Sequence, residues 1–260
     1  MVISALIVAG GLGFLTLQEI FPWIYPIRRQ RNYRISLHSR LVLVTTTVLV
    51  VGGWFALAVL EWDVTLKSLP TIHRITNALF LSTTARTAGF NSIDYGRAAD
   101  STNFVTILLM TVGGSPGSTA GGIKTTTFAL LALLAWSRMN GEESTHIFGR
   151  ALRKEMTDRA VGLAVVCFGI VTLGILSLSV SERGSGSGEF LDRMFEVVSA
   201  FNTVGLSTGI TASLSSPGRL VIVAMMFIGR VGPLGFAAAV ARPVKSAAQF
   251  RYAYEDVMIG

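Results

Sequence analysis

Thr87-Ala88-Gly89-Phe90-Asn91 and Thr203-Val204-Gly205-Leu206-Ser207 are two copies of one short motif, each set just after a short apolar run. Glycine to glycine the spacing is 205 − 89 = 116. The same offset aligns Met110-Thr111-Val112-Gly113 with Met226-Phe227-Ile228-Gly229, since 226 − 110 = 116. Two features at one offset define an internal repeat. Thr-x-Gly carries chemistry because a run of backbone carbonyls can replace the water around a dehydrated cation. Glycine permits the backbone angles that turn successive carbonyls the same way.

The composition around these motifs belongs to a membrane. The chain has 260 residues, 51% of them hydrophobic and 14% charged, against about 25% charged in a soluble domain. The charges lie in patches. Residues 41–60 and 160–181 carry none, 101–137 carry only Lys124, and 220–241 only Arg230. A membrane span needs about 20 apolar residues, so these segments read as membrane helices. Residues 1–18 are apolar too and end at Glu19. They read as a retained helix rather than a signal peptide. No basic residue precedes the run, and no small-residue cleavage site precedes Phe21-Pro22-Trp23.

The net charge of +7 does not point to nucleic acid. Thirteen of the 22 basic residues fall in three stretches: 28–40, 138–159 and the tail after 241. Alternating helices put all three on one side, which the positive-inside rule makes cytoplasmic. Cys167 stands alone in an apolar span, so there is no disulfide framework. No His, Cys or carboxylate grouping suggests a catalytic site.

With the basic loops inside, 1–20 run inward, 41–60 outward, 101–137 inward, 160–181 outward and 220–241 inward. Between each outward and inward helix lies a half-length segment, 75–84 or 191–200, followed by Thr-x-Gly. Both ends of that segment must lie outside, so it reads as a re-entrant pore helix and filter loop. Non-helical backbone is tolerated at that depth only where it is buried or lines a cavity. The expected fold is thus an all-α membrane protein of repeated outer helix, re-entrant pore helix with filter loop, and inner helix, like a potassium channel. The expected divisions are 1–27, an inner helix of an incomplete preceding repeat; 28–40, a basic loop; 41–137, a complete repeat; 138–159, a cytoplasmic loop; 160–241, a second complete repeat; and 242–260, a cytoplasmic tail.

Residues 101–137 are too long for one span. A continuous helix would reach about 55 Å against a core of about 30 Å. Its middle reads Gly113-Gly114-Ser115-Pro116-Gly117-Ser118-Thr119-Ala120-Gly121-Gly122, a density of glycine and proline that breaks helices. Half helix, flexible loop and half helix are expected, with the loop through Lys124 as a gate below the filter. A phosphate-binding loop is excluded because Ile123 separates Gly122 from Lys124.

Arg230 sits mid-span, where charge is costly and usually faces a water-filled cavity. Its repeat counterpart is Gly114, since 230 − 114 = 116. It is expected near the pore axis as a barrier to cations, or as a structural arginine on loop carbonyls. Arg86 is expected to support the filter backbone, and Glu196 to accept from filter amides. Glu61, Asp63, Asp94 and Asp100 are expected to be solvated loop carboxylates.

The stretch 84–91, the loop 113–125 and Gly229-Arg230-Val231-Gly232-Pro233-Leu234 resemble the Trk/Ktr/HKT potassium transporters, and the tail 250–260 looks like that of KtrB-type (NtpJ-like) subunits. That likeness implies potassium uptake across a bacterial inner membrane, with K+ at the carbonyls of Thr87, Ala88, Gly89, Thr203, Val204 and Gly205. It implies filter roles for 87–91 and for Asn202 through Ser207, a gate at 113–124 and a barrier at Arg230. It also implies Na+ as an activator, no organic cofactor, a lipid environment, a homodimer and a cytosolic nucleotide-binding KtrA-like subunit. The family carries four repeats in one chain, whereas two are complete here. Gly10-Gly11-Leu12-Gly13 matches Gly229-Arg230-Val231-Gly232 at 229 − 10 = 219, which makes 1–20 the inner helix of a preceding repeat. Two loops cannot surround an ion fourfold. A working transporter subunit, an inactive or accessory half-transporter and a membrane scaffold without transport therefore remain open alternatives.

Overall fold

The computed structural model describes residues 1–24, 35–142, 146–147, 150–183 and 188–232. Most of the basic loop at 28–40, the tail at 242–260 and the second half of 220–241 lie outside the described residues. Among the described residues the regular elements are helices apart from a two-residue ladder, β1 (His146–Ile147) with β2 (Arg150–Ala151).

The helices are α1 (Val2–Ile24), α2 (Leu37–Glu61), α3 (Thr71–Thr84), α4 (Asp100–Thr111), α5 (Thr125–Met139), α6 (Lys154–Ser181), α7 (Phe190–Phe201) and α8 (Ser216–Val231). The order long helix, short helix, Thr-x-Gly loop, helix runs twice, as α2-α3-α4 and as α6-α7-α8. Among the described residues, three helices are long and apolar enough to cross a membrane: Val2–Pro22, Leu37–Glu61 and Lys154–Ser181. Their exposed faces carry side chains such as Val48, Phe55, Val165 and Phe168, as lipid contact requires.

The units pack in relay. α4 lies against α7 of the following unit, and α1 lies against α3 in the same way. The shared core joins Leu57, Leu81, Ile107 and Met110 to Phe195 and Val198. Tyr95 and Phe195 meet there with ring centroids 5.3 Å apart.

Two features of the inner helices go beyond the expected spans. α1 is not one straight helix: at Gly13 the backbone leaves helical geometry (φ 73, ψ 154). α8 stops at Val231, where Gly232 (φ 88, ψ 141) caps it. These glycines are 232 − 13 = 219 apart, the offset that relates the two inner helices. The expected break of 101–137 is present, with α4 ending at Thr111 and α5 starting at Thr125.

The loop carboxylates divide. Glu61 is fully buried rather than solvated. One oxygen accepts from the Thr65 amide (3.1 Å) and hydroxyl (2.5 Å), the other from the Ala99 amide (3.1 Å) at the N-cap of α4. Glu182 does the same in the second unit, accepting from the amide (3.0 Å) and hydroxyl (2.6 Å) of Ser215, the N-cap of α8. Each outer helix thus ends in a buried carboxylate that satisfies an otherwise unpaired amide at the start of its inner helix.

Candidate functional site: two Thr-x-Gly loops over a glycine-rich connection

Both loops begin where a short helix ends. Among the described residues, only Thr87 (φ 65) and Thr203 (φ 55) are non-glycines with positive φ. A β-branched residue there is strained by about 1–2 kcal/mol, and such strain gathers at functional sites. Two residues on, Gly89 (φ 75) and Gly205 (φ 91) are positive again, while Ala88 and Val204 between them are not. Alternating the sign of φ turns successive carbonyls toward one side of the chain instead of opposite sides.

A hydroxyl from the preceding helix holds each loop. Thr84 Oγ1 accepts from the Phe90 amide and donates to the Phe90 carbonyl, both at 2.8 Å. Ser199 Oγ donates to the Leu206 carbonyl (2.6 Å) and accepts from the Gly205 amide (3.2 Å). The loops meet at their glycines: a side chain on Gly89 would collide with the Val204 carbonyl, and the Gly89 Cα lies 3.8 Å from where a Gly205 side chain would start. A cleft of 410 Å³ runs along the second loop, from Arg230 to Glu196 and Thr211.

Glu196, expected to accept from filter amides, reaches the backbone of Thr208, one residue past the second loop. Its carboxylate takes the hydroxyls of Ser207 and, at 2.9 Å, Thr211, which pins the end of the second loop. Arg86 likewise turns away from its own loop. Its guanidinium donates to the Gly113 carbonyl (2.9 Å) and the Thr46 carbonyl of α2 (3.5 Å).

The connection 112–124 is docked beneath the loops on every side. Its ends are zipped by Gly113 N to Ile123 O (2.9 Å) and Thr125 N to Gly114 O (3.1 Å). Ser115 donates from its amide to the Gly11 carbonyl (2.9 Å) and from its hydroxyl to the Leu12 carbonyl, and the Phe14 amide donates to the Gly117 carbonyl (3.4 Å). Those carbonyls and that amide are freed by the break at Gly13, where any side chain would lie 2.6 Å from the Pro116 carbonyl oxygen. The Gly121 amide donates to Thr203 Oγ1 (3.0 Å). Lys124 Nζ turns back onto the Ala120 carbonyl (2.5 Å), and Arg230 Nη1 donates to the Thr119 carbonyl (2.8 Å). Both Thr-x-Gly loops, the connection and Arg230 are therefore one contiguous assembly.

Residues 1–252 match the family described as TrkH, cation transport protein. The chain belongs to that family. It is 37% identical over its whole length to the potassium/sodium uptake protein NtpJ of Enterococcus hirae, covering 57% of that protein. It is 35% identical over its whole length to the Ktr system potassium uptake protein B of Bacillus subtilis, covering 56% of it. The chain thus spans about half the length of the curated relatives it matches. The crystal structure of the potassium transporter TrkH from Vibrio parahaemolyticus shares the fold, with a TM-score of 0.71, 16% identity, and coverage of 92% of this chain and 51% of that one. These relatives are membrane cation transporters, not enzymes.

Sequence reasoning missed the buried pair Glu61 and Glu182 and the break at Gly13. A signal for each was present. The two carboxylates follow corresponding uncharged runs, and Gly13 shares the 219-residue offset with Gly232.

Proposed function

We propose that this chain forms half of a potassium-conducting pore in the bacterial inner membrane. The observation that carries the reading is the repeated backbone: positive φ at Thr87 and Gly89, and again at Thr203 and Gly205, in loops that face each other. The carbonyls of Thr87, Ala88, Gly89, Thr203, Val204 and Gly205 replace the water of a dehydrated K+. α3 and α7 are re-entrant pore helices, with Phe90, Asn91, Asn202, Leu206 and Ser207 completing the filter loops. The connection 113–124 lies under the filter as a gate. Arg230 both tethers the gate through Thr119 and opposes cations there by its charge.

The relay packing supports a ring. α1 takes toward α3 the place that α4 takes toward α7, so α1 acts as the inner helix of a preceding repeat. Two loops close half a ring, and the other two come from further chain or a complementary half. With the likeness to the Trk/Ktr/HKT family, the reading extends to sodium as an activator, a cytosolic nucleotide-binding regulatory subunit on a homodimer, and a C-terminus in the cytoplasm.

The test is rubidium uptake by potassium-starved cells that lack other uptake systems and express the chain at verified membrane levels. Uptake that disappears in Gly205→Asp supports a pore assembled from these halves. Uptake unchanged in Gly205→Asp overturns the filter assignment. The half-length coverage of the relatives favours a second reading, a half-transporter inactive until its complement is supplied. No uptake from well-inserted chain, restored by co-expressing the missing repeats, selects it.

A further inference from the structure

Arg86 and Asn202 hold one repeat position, since 202 − 86 = 116, each immediately before its loop threonine. Both are buried, to 8% and 0% exposure. Unlike in chemistry, they reach opposite ends of the same connection. Arg86 donates to the Gly113 carbonyl at the N-terminal end. Asn202, anchored by Nδ2 on the Val198 carbonyl (2.9 Å), sets its Oδ1 against Gly122 at the C-terminal end. Gly122 is at φ 67, and any side chain on it would collide with Asn202. Thr203 continues the contact by accepting from the Gly121 amide.

The docked arrangement is incompletely satisfied. Arg86 Nε and Asn202 Oδ1 are buried without a hydrogen-bond partner. A void of 10 Å³ borders Arg86, Thr46 and Gly114. Such partly satisfied polar groups hold a structure less tightly than a complete network, and they gain partners when water enters. Both ends of the docked connection thus carry an unpaired polar atom that weakens the docking.

We propose that Arg86, Asn202 and Thr203 are positioning residues that clamp the two ends of the connection to the two filter loops, so that gate release and filter loosening are one coupled transition. This rests on the reading of 113–124 as a gate. Coupling of this kind is reciprocal: what frees the connection loosens both loops, and what loosens one loop frees the connection and the other loop.

The test is amide hydrogen exchange on the full chain in lipid nanodiscs, followed in peptides covering 86–91, 113–124 and 203–207. Thr203→Val removes an acceptor. It is expected to speed exchange about fivefold in 113–124, the equivalent of one hydrogen bond, and also to speed it in 86–91, with which Thr203 shares none of the described hydrogen bonds. Thr203→Ser keeps the hydroxyl and restores the wild-type rates. Arg86→Gln is expected to speed exchange in 203–207, beyond its own contacts. Changes confined to the segments each residue touches overturn the proposal, as does Thr203→Ser behaving like Thr203→Val. If Arg86→Gln does not insert, the Thr203 pair decides alone. No ion flux is read, so failure of the transport reading leaves this result standing, and the reverse holds too.

Discussion

The first Thr-x-Gly loop leaves Phe90 56% exposed, whereas the second buries Leu206, at the same repeat position, to 1%. The supports differ as well. Thr84 clamps the first loop from the last residue of α3, while Ser199 clamps the second from two residues inside the end of α7. Thr203 Oγ1 reaches the connection, and Arg86 does so in place of a threonine hydroxyl in the first loop. What stays common is the sign of φ at the threonine and the glycine. The comparison teaches that the alternating backbone at the threonine and glycine is the shared constraint, and that each loop meets it with whatever neighbours its place in the fold supplies.

The largest effect expected within this comparison comes from the glycines themselves. A side chain on Gly89 meets the Val204 carbonyl, while one on Gly205 has ordinary contact only. Gly89→Ala therefore combines left-handed strain with overpacking, about 2–5 kcal/mol together. Gly205→Ala carries the strain alone, about 1–2 kcal/mol. Thermal unfolding of the detergent-solubilised chain checks this. Equal drops in Tm would show that the loops are not packed against each other as described.

The buried carboxylates sharpen the symmetry instead of breaking it. Glu61 and Glu182 each receive the N-cap amide of an inner helix. Glu61→Gln and Glu182→Gln are each expected to cost about 1.5–3 kcal/mol, as for hydrogen bonds to a charged group. The same unfolding measurement reads both. A loss in one and none in the other would mean that the two units are joined differently at their outer ends.

How much of this was legible in the sequence depends on the range over which each feature acts. The repeat, the apolar spans and the break at 113–122 are local patterns of hydropathy, glycine and proline, and they place the helices to within a few residues; α3 begins at Thr71 where 75 was expected. The partners of Arg86, Glu61 and Glu196 are set by tertiary approach. Glu61 finds an amide 38 residues away, and no spacing rule connects them. Loop carboxylates are usually solvated, and that prior failed where a helix start needed an acceptor. The break at Gly13 was obscured because Gly10-Gly11-Leu12-Gly13 lies inside an otherwise apolar run of helical length. It becomes necessary only because Ser115 and Gly117 of a distant segment bind the carbonyls and amide around it.

The smallest effect separates two arginines of α8. Arg219 Nη2 donates to the Ala212 carbonyl (2.9 Å), and Arg230 Nη1 to the Thr119 carbonyl (2.8 Å). Each is exposed and makes one carbonyl bond, so their contributions to folding are alike, about 1 kcal/mol or less. Their positions are not alike. Arg219 fastens a turn within its own unit, while Arg230 fastens the connection of the other unit at Thr119. On the proposed pore reading, truncation at Arg230 removes a tether and a repelling charge together. Arg230→Ala is expected to raise rubidium uptake severalfold, about the factor that loss of 1 kcal/mol gives, while Arg219→Ala leaves uptake within twofold of the parent. Both are read in the cells used for Gly205→Asp, with the complementary repeats supplied where the chain needs them. Equal small effects at the two positions would make Arg230 a structural arginine and leave the docking of the connection to Arg86, Asn202 and Thr203.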